Sequence, residues 1–267
     1  MASAVSNLAA SNNTRFNAEA AAWDSRPFVH EASQGAAKAI RDLLAARPGD
    51  KPVNKLEVLE IGCGTGILSF LLAPHVQRII AVDAAEGMID VLKEKLTKPH
   101  APKNILPLAL LLDNPEDAAL PPADPLDVNA SSGPRLKVDL ITSHLVMHHI
   151  PDLVPLLETM YACLAPGGRV MLTDFEDFGP EAKRFHPASK MDGVARHGIN
   201  ARWMEAILLQ VGFTDVEVEA RWTMTKNVEK YEGEFGGAYG GDAQELTSTG
   251  KGEDMQFPFL VCYGAKN

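Results

Sequence analysis

The sequence predicts a doubly wound α/β fold: a seven-stranded, mostly parallel sheet with helices on both faces and an antiparallel last strand. Two observations carry this reading. Short runs of β-branched and aliphatic residues alternate with segments whose apolar residues recur at helical spacing, the order that builds a parallel sheet. The first run, Leu56-Glu57-Val58-Leu59-Glu60-Ile61, breaks into Gly62-Cys63-Gly64-Thr65-Gly66 before a helical pattern resumes at Ile67-Leu68. With 267 residues the chain can bury a full core as one domain.

Residues 1–13 are small and polar and are expected to be disordered. From Phe16 to Asp24 the pattern becomes helical and amphipathic. Residues 1–30 are therefore read as a partly disordered N-terminal segment. Residues 31–267 are read as one domain with insertions at 114–137, 174–199 and 226–255. Ala36, Ile40, Leu43 and Leu44 share one face of a helix over Glu31–Ala46, which Arg47-Pro48-Gly49-Asp50 ends. A short helix over Gly66–Ala73 follows the glycines and stops at Pro74.

Arg78–Asp83 is a second strand, and Met88, Ile89, Leu92 and Leu96 mark the next helix. Ile105–Leu112 is a third strand, reaching Asp113, and Pro, Asp, Ala and Ser make 114–137 irregular. Val138–Ser143 is the fourth strand. Leu153, Leu156, Leu157, Met160 and Leu164 repeat at helical spacing, and Pro166-Gly167-Gly168 turns the chain into a fifth strand, Arg169–Thr173. The segment 174–199 has little periodicity. Asn200 caps a helix carrying Met204, Ile207, Leu208 and Val211, with Gly212 at its end. Val216–Ala220 and Phe257–Tyr263 complete the sheet.

A net charge of −10 argues against a phosphate-tracking nucleic-acid surface. Cys63, Cys163 and Cys262 are scattered and odd in number, so no disulfide framework is expected. No targeting segment or apolar run long enough for a membrane span stands out, and a cytoplasmic protein is expected. Nothing in the pattern sets an oligomeric state.

Strand, glycine turn and helix N-terminus together make a ligand site where backbone can approach closely. The spacing is G-x-G-x-G, not the G-x-G-x-x-G of dinucleotide binders. Glu60 would repel a phosphate yet suits a cationic amino-acid ligand. Asp83, an acid ending the second strand about twenty residues on, is placed to accept from ribose hydroxyls. A ligand with ribose but no pyrophosphate fits better than NAD.

Four motifs in order, Glu60–Gly66, Val82-Asp83, Ser143–Asp152 and Leu164–Gly168, resemble those of class I S-adenosylmethionine-dependent methyltransferases. The resemblance is greatest to their ubiquinone-biosynthesis-like small-molecule branch and covers roughly residues 50 to 220. It implies a Rossmann-like methyltransferase fold and S-adenosylmethionine as cofactor. Glu60, Gly62, Cys63, Gly64 and Gly66 would meet its methionine portion and ribose, and Asp83 the ribose hydroxyls. Ala84 and Met88 would line the adenine, and Asp113 or Asn114 would accept from its amino group. Ser143 and His144 would end the fourth strand at the ligand. Related enzymes use an N-terminal segment as a flap, which gives Trp23 two roles, covering the ligand or docking on the domain.

His148 and His149 are the catalytic candidates. One of them acts as general base, or one caps the following helix while the other packs. Adjacent histidines chelate a single ion poorly and further ligands would have to come from elsewhere, so no metal is expected. His186 and His197 lie in the aperiodic segment over the acceptor pocket, and Phe175, Phe178 and Phe185 are candidates for its apolar wall or for packing within the loop. The function expected is transfer of a methyl group to a small-molecule acceptor at O, S, N or C. Thr142-Ser143-His144-Leu145 lacks the Asn-Pro-Pro-aromatic element of enzymes that methylate nucleobase amines, so nucleic acid is not the expected substrate. The alternatives are a non-catalytic S-adenosylmethionine-binding partner subunit on the same fold, and a nicotinamide oxidoreductase, which the glycine spacing disfavours.

Overall fold

A computed structural model describes residues 2–124, 133–235 and 250–267, with side chains from residue 13 onward. Its strands are β1 (Glu57–Ile61), β2 (Arg78–Asp83), β3 (Ile105–Ala109), β4 (Val138–His144), β5 (Leu164–Phe175), β6 (Thr214–Val228) and β7 (Glu253–Ala265). They form one sheet in the order β3-β2-β1-β4-β5-β7-β6. β1 to β5 pair in parallel, and β7 inserts antiparallel between β5 and β6. The chain winds one way from β1 to β3 and then returns to the other side of β1. The carboxyl ends of β1 and β4 therefore flank the switch point where such sheets open a crevice.

Helices α1 (Ala2–Trp23), α2 (Pro27–Ala46), α3 (Ile67–Leu72), α4 (Glu86–Leu96), α5 (Leu153–Cys163) and α6 (Ala201–Val211) complete the fold. Strand alternation splits the core in two. Leu59, Ile61, Ile80, Val82, Ile141 and Leu172 face Leu157 and Met160 of α5 and Leu208 of α6. Their neighbours Val58, Ile79, Ala81, Leu140 and Met171 face the opposite way, onto Ile40, Leu44, Leu68, Ile89 and Leu92 of α2, α3 and α4.

α2 starts at Pro27, four residues before the expected Glu31, because proline suits the first helical position. β3 ends at Ala109, not Leu112, its last register partner being Asp83 at the end of β2. β6 and β7 are far longer than their apolar cores, pairing from Thr214↔Ala265 to Val228↔Glu253. Beyond Ala220 the β6 arm buries Met224 and Val228 with Phe257 and Phe259 of β7 in a third apolar cluster, shared with Phe175 and Phe185. Asn200 caps α6 by accepting from Trp203 N at 3.0 Å, and left-handed Gly212 ends it. Asp152, not a histidine, caps α5. All three cysteines are buried and free. Disorder is expected at 1–13, but from Ala2 the backbone is the first part of α1; side chains before residue 13 and parts of the insertions at 114–137 and 226–255 lie outside the described residues. None of the described helices is long and apolar enough to cross a membrane.

Candidate active site

A cavity of about 500 Å³ opens at the carboxyl ends of β1, β2 and β4, a size that accommodates a small-molecule ligand. One end is the glycine loop. Gly62, Gly64 and Gly66 all have positive φ, at +69°, +54° and +80°. A Cβ on Gly62 would lie 2.3 Å from Val146, and one on Gly66 2.5 Å from Leu92, so these two serve packing as well as turn geometry. A Cβ on Gly64 meets nothing nearer than the Trp23 indole at 4.0 Å. Only there does the missing side chain leave room that a ligand can use.

Asp83 fixes this loop. Its Oδ2 accepts from Gly64 N and its Oδ1 from Ala85 N, both at 2.8 Å, and the carboxylate lines the cavity. Burial raises the Asp83 pKa, and the two amides oppose that rise. Ala84 and Met88 line the same end. Burial also pushes the Cys63 thiol well up, so it stays protonated.

Glu60 is 2% exposed and receives a hydrogen bond from Ser69 Oγ. Burial, with a smaller push from Asp83, raises its pKa to about 8. A carboxyl raised in the fold holds a proton that the unfolded chain releases from its ordinary value of 4.5 upward. Without ligand, stability should fall as pH rises from 4.5 to about 8. Glu60→Gln should flatten that slope, measured as Tm against pH. A wild-type Tm that rises through this window would contradict the assignment.

The end of α1 covers the cavity. Trp23 packs beside Phe16, and Asn17 Oδ1 accepts from Gly87 N at 2.7 Å. Asp24 accepts from Thr65 Oγ1, inside the glycine loop, and from Lys95 Nζ at 2.5 Å. Glu19 pairs with Arg26 at 2.9 Å and with Lys190. Asp24→Ala should loosen this cover and speed release of a ligand bound beneath it severalfold, as a partly exposed ion pair worth about 1 kcal/mol or less allows. Stopped-flow tryptophan fluorescence would read that rate, and an unchanged rate would remove Asp24 from this role.

The other end holds four imidazoles. His144 Nδ1 bonds Thr173 Oγ1 at 2.8 Å, and its buried Nε2 has no partner. Burial lowers its pKa to about 4. His148 is 2% exposed. Its Nδ1 lies 2.9 and 3.1 Å from the oxygens of Asp174, a buried acid at the carboxyl end of β5. Asp174 also accepts from the backbone nitrogens of His148 and Phe175. The carboxylate thus holds the Nδ1 proton and leaves Nε2 as acceptor. His149 Nδ1 donates to the Gly193 carbonyl at 2.9 Å. Burial, and the neighbouring His148 ring, lower the pKa of His149 and His186 well below the ordinary value, so both stay neutral near pH 7.

Of the remaining predicted residues, Gly66 caps α3 away from the cavity wall, and Ser143 Oγ donates to the Ile61 carbonyl at 2.8 Å, tying β4 to β1. Asp113 and Asn114 do not line the cavity. Asn114 accepts from Glu116 N, and Leu110, Leu111 and Leu112 form that wall instead. Phe185 lines it, with the fully buried Phe175 stacked behind at 3.9 Å. Phe178 packs on Phe257, and His197 borders a separate hollow with Asp177 and Lys183. Sequence reasoning missed Asp174, although an acid ending an apolar strand was the signal that had marked Asp83. Asp24 and Ser69 carried no such signal.

The methyltransferase-domain family matches residues 28–218. An uncharacterised methyltransferase of Schizosaccharomyces pombe is 28% identical over 145 residues, 54% of this chain and 46% of that protein. Wheat phosphoethanolamine N-methyltransferase is 25% identical over 239 residues, 86% of this chain and 42% of that protein. The Coxiella burnetii ubiquinone biosynthesis O-methyltransferase is 28% identical over 116 residues, 43% of this chain and 42% of that protein. The chain thus spans less than half the length of these curated relatives. Among solved structures, Bacillus subtilis YcgJ superposes with a TM-score of 0.58 at 15% identity, covering 86% of this chain and 98% of that one. The N-methyltransferase NodS of Bradyrhizobium japonicum, solved with S-adenosylhomocysteine, gives 0.53 at 17%, covering 96% and 97%. The structures establish the fold. The match over most of the sequence establishes more: the chain belongs to the methyltransferase-domain family, on the class I architecture whose cosubstrate is S-adenosylmethionine.

Proposed function

We propose that this protein moves the methyl group of S-adenosylmethionine onto a small, largely apolar acceptor seated between the glycine loop and the histidines. The observation that carries this reading is that a single cavity unites Asp83 and the open face of Gly64 with the His148–Asp174 pair. The relatives named for ubiquinone biosynthesis and for phosphoethanolamine support a small-molecule acceptor. Bound S-adenosylmethionine supplies an activated methyl on a sulfonium, and the transfer is an in-line displacement.

The protein's contribution is chiefly to hold acceptor and donor in line, which is worth several kcal/mol. Asp83 and the Gly64 backbone hold the donor end, and Glu60 offers the buried carboxyl that a cationic amino group would ionise. Phe28, Val29 and Phe185 give the acceptor apolar walls, and the His148 imidazole meets its nucleophilic atom. Calorimetric titration with S-adenosylmethionine, followed by incubation with a metabolite extract and mass spectrometry, tests this. The expected result is binding, S-adenosylhomocysteine release and one metabolite heavier by a methylene. Binding without release across all extracts would favour a non-catalytic subunit, and no binding would overturn the reading.

A further inference from the structure

The acceptor end of the cavity holds a cluster that methyl transfer alone does not require. One nitrogen from each of His148, His149 and His186 lies within 4.8 Å of the others. His148 and His149 sit on a single tight turn, Met147–His149, with ring centroids 3.9 Å apart. His186 approaches from the far segment, its ring 5.1 Å from that of His148, and its Nδ1 is buried with no hydrogen-bond partner. The adjacent pair alone would chelate one ion poorly, and the fold brings a third donor from 37 positions further along, 149 to 186.

We propose that these three imidazoles form a binding site for a divalent transition cation of the zinc type. Two features beyond proximity support it. First, each of the adjacent histidines is oriented as a metal ligand would be. His148 gives its Nδ1 proton to the Asp174 carboxylate and His149 its own to the Gly193 carbonyl, so both present a bare Nε2. A ligating imidazole ordinarily bonds its second nitrogen to a carboxylate or carbonyl in this way, which fixes its tautomer. Second, three imidazoles with a buried carboxylate behind one of them are a donor set that suits zinc, copper, iron or nickel and not magnesium or calcium.

A zinc–nitrogen distance of about 2.0–2.1 Å places tetrahedral nitrogens roughly 3.4 Å apart, so modest side-chain rotations close the present spacing around an ion. Three protein ligands leave a fourth position, which is the arrangement of sites that bind a further molecule. All three histidines line the cavity, so that position opens where the acceptor sits. The chemistry that would occupy it is a hydroxyl, thiol or carboxylate able to bind a metal. The inference rests on reading this cavity as the acceptor site.

The full chain, stripped with a chelator, should bind one equivalent of Co²⁺ and develop the visible absorption of a tetrahedral cobalt site. Zn²⁺ should quench that absorption, and Mg²⁺ at the same concentration should not. His186→Gln and His149→Gln should each abolish the band, and Asp174→Asn should weaken binding about 10–100-fold, the effect of removing an orienting partner. Circular dichroism confirms that the variants are folded, and His75→Gln on the surface serves as control. Calorimetry with S-adenosylmethionine on the same samples separates the two readings. Wild-type protein that binds S-adenosylmethionine but gives no cobalt band overturns the metal site alone. A band that survives in both His186→Gln and His149→Gln overturns it as well, whereas a band without S-adenosylmethionine binding overturns the methyltransferase reading and leaves the metal site standing.

Discussion

Asp174→Asn is expected to reduce turnover by about 10²-fold or more, while the affinity for S-adenosylmethionine changes by only about threefold or less. The position of one proton decides the effect. Asp174 is fully buried and accepts from His148 Nδ1 as well as from two backbone amides. The backbone amides of His148 and Phe175 use different oxygens, so an asparagine keeps an acceptor for one of them and turns its NH₂ toward the other and the ring. His148 must then accept at Nδ1 and carry its proton on Nε2, the nitrogen that faces the cavity. An imidazole in that tautomer neither takes an acceptor's proton nor donates a lone pair to an ion. The substitution is nearly isosteric, so the fold should survive. His148→Ala should match it, and the double variant should add little, because the two side chains act as one unit. Single-turnover rates with calorimetric binding constants give the comparison. A loss below about tenfold would make the pair structural, since positioned proton transfer is worth at least about 10²-fold.

The glycine-loop end of this cavity was legible in the sequence and the histidine end only in part, for a physical reason. Glu60, the glycines and Asp83 are specified by local rules. An apolar strand must stop, the backbone must turn through positive φ, and an acid at a strand's carboxyl end must face the crevice. Those rules operate within six or seven residues. The histidine cluster does not, because His186 meets His148 only after the irregular 180–190 segment folds back across β5. Asp24 likewise reaches Thr65 and Lys95 through tertiary contact alone. The long hairpin of β6 and β7 shows the same limit in the sheet. Val216 to Ala220 alternates and Trp222, Met224 and Val228 continue the pattern, but their burial depends on Phe257, Phe259 and the distant Phe175 and Phe185. The resemblance put an adenine contact at Asp113 or Asn114, and in the structure β3 ends at Ala109 and Leu110, Leu111 and Leu112 take the cavity wall there.

Asp83→Ala is expected to weaken binding of S-adenosylmethionine by about 1–3 kcal/mol, close to 5- to 150-fold. In its favour, the carboxylate already holds the loop it would share with the ligand. Oδ2 receives Gly64 N and Oδ1 receives Ala85 N, each at 2.8 Å. Alanine would remove the acceptors for the ribose hydroxyls and also leave the Gly64 amide without its partner, at the one glycine whose missing side chain opens onto the cavity. Asp83→Asn separates the two effects. Its single oxygen can keep Gly64 N in place while giving up one ribose contact, so its loss should fall between wild type and alanine. S-adenosylhomocysteine carries the same ribose and lacks the sulfonium charge, so its affinity should drop by the same factor in each variant. Equal losses for the two ligands would assign the effect to the ribose. A loss confined to S-adenosylmethionine would make Asp83 a charge partner of the sulfonium, and unchanged affinity for both would place the ribose elsewhere in the crevice.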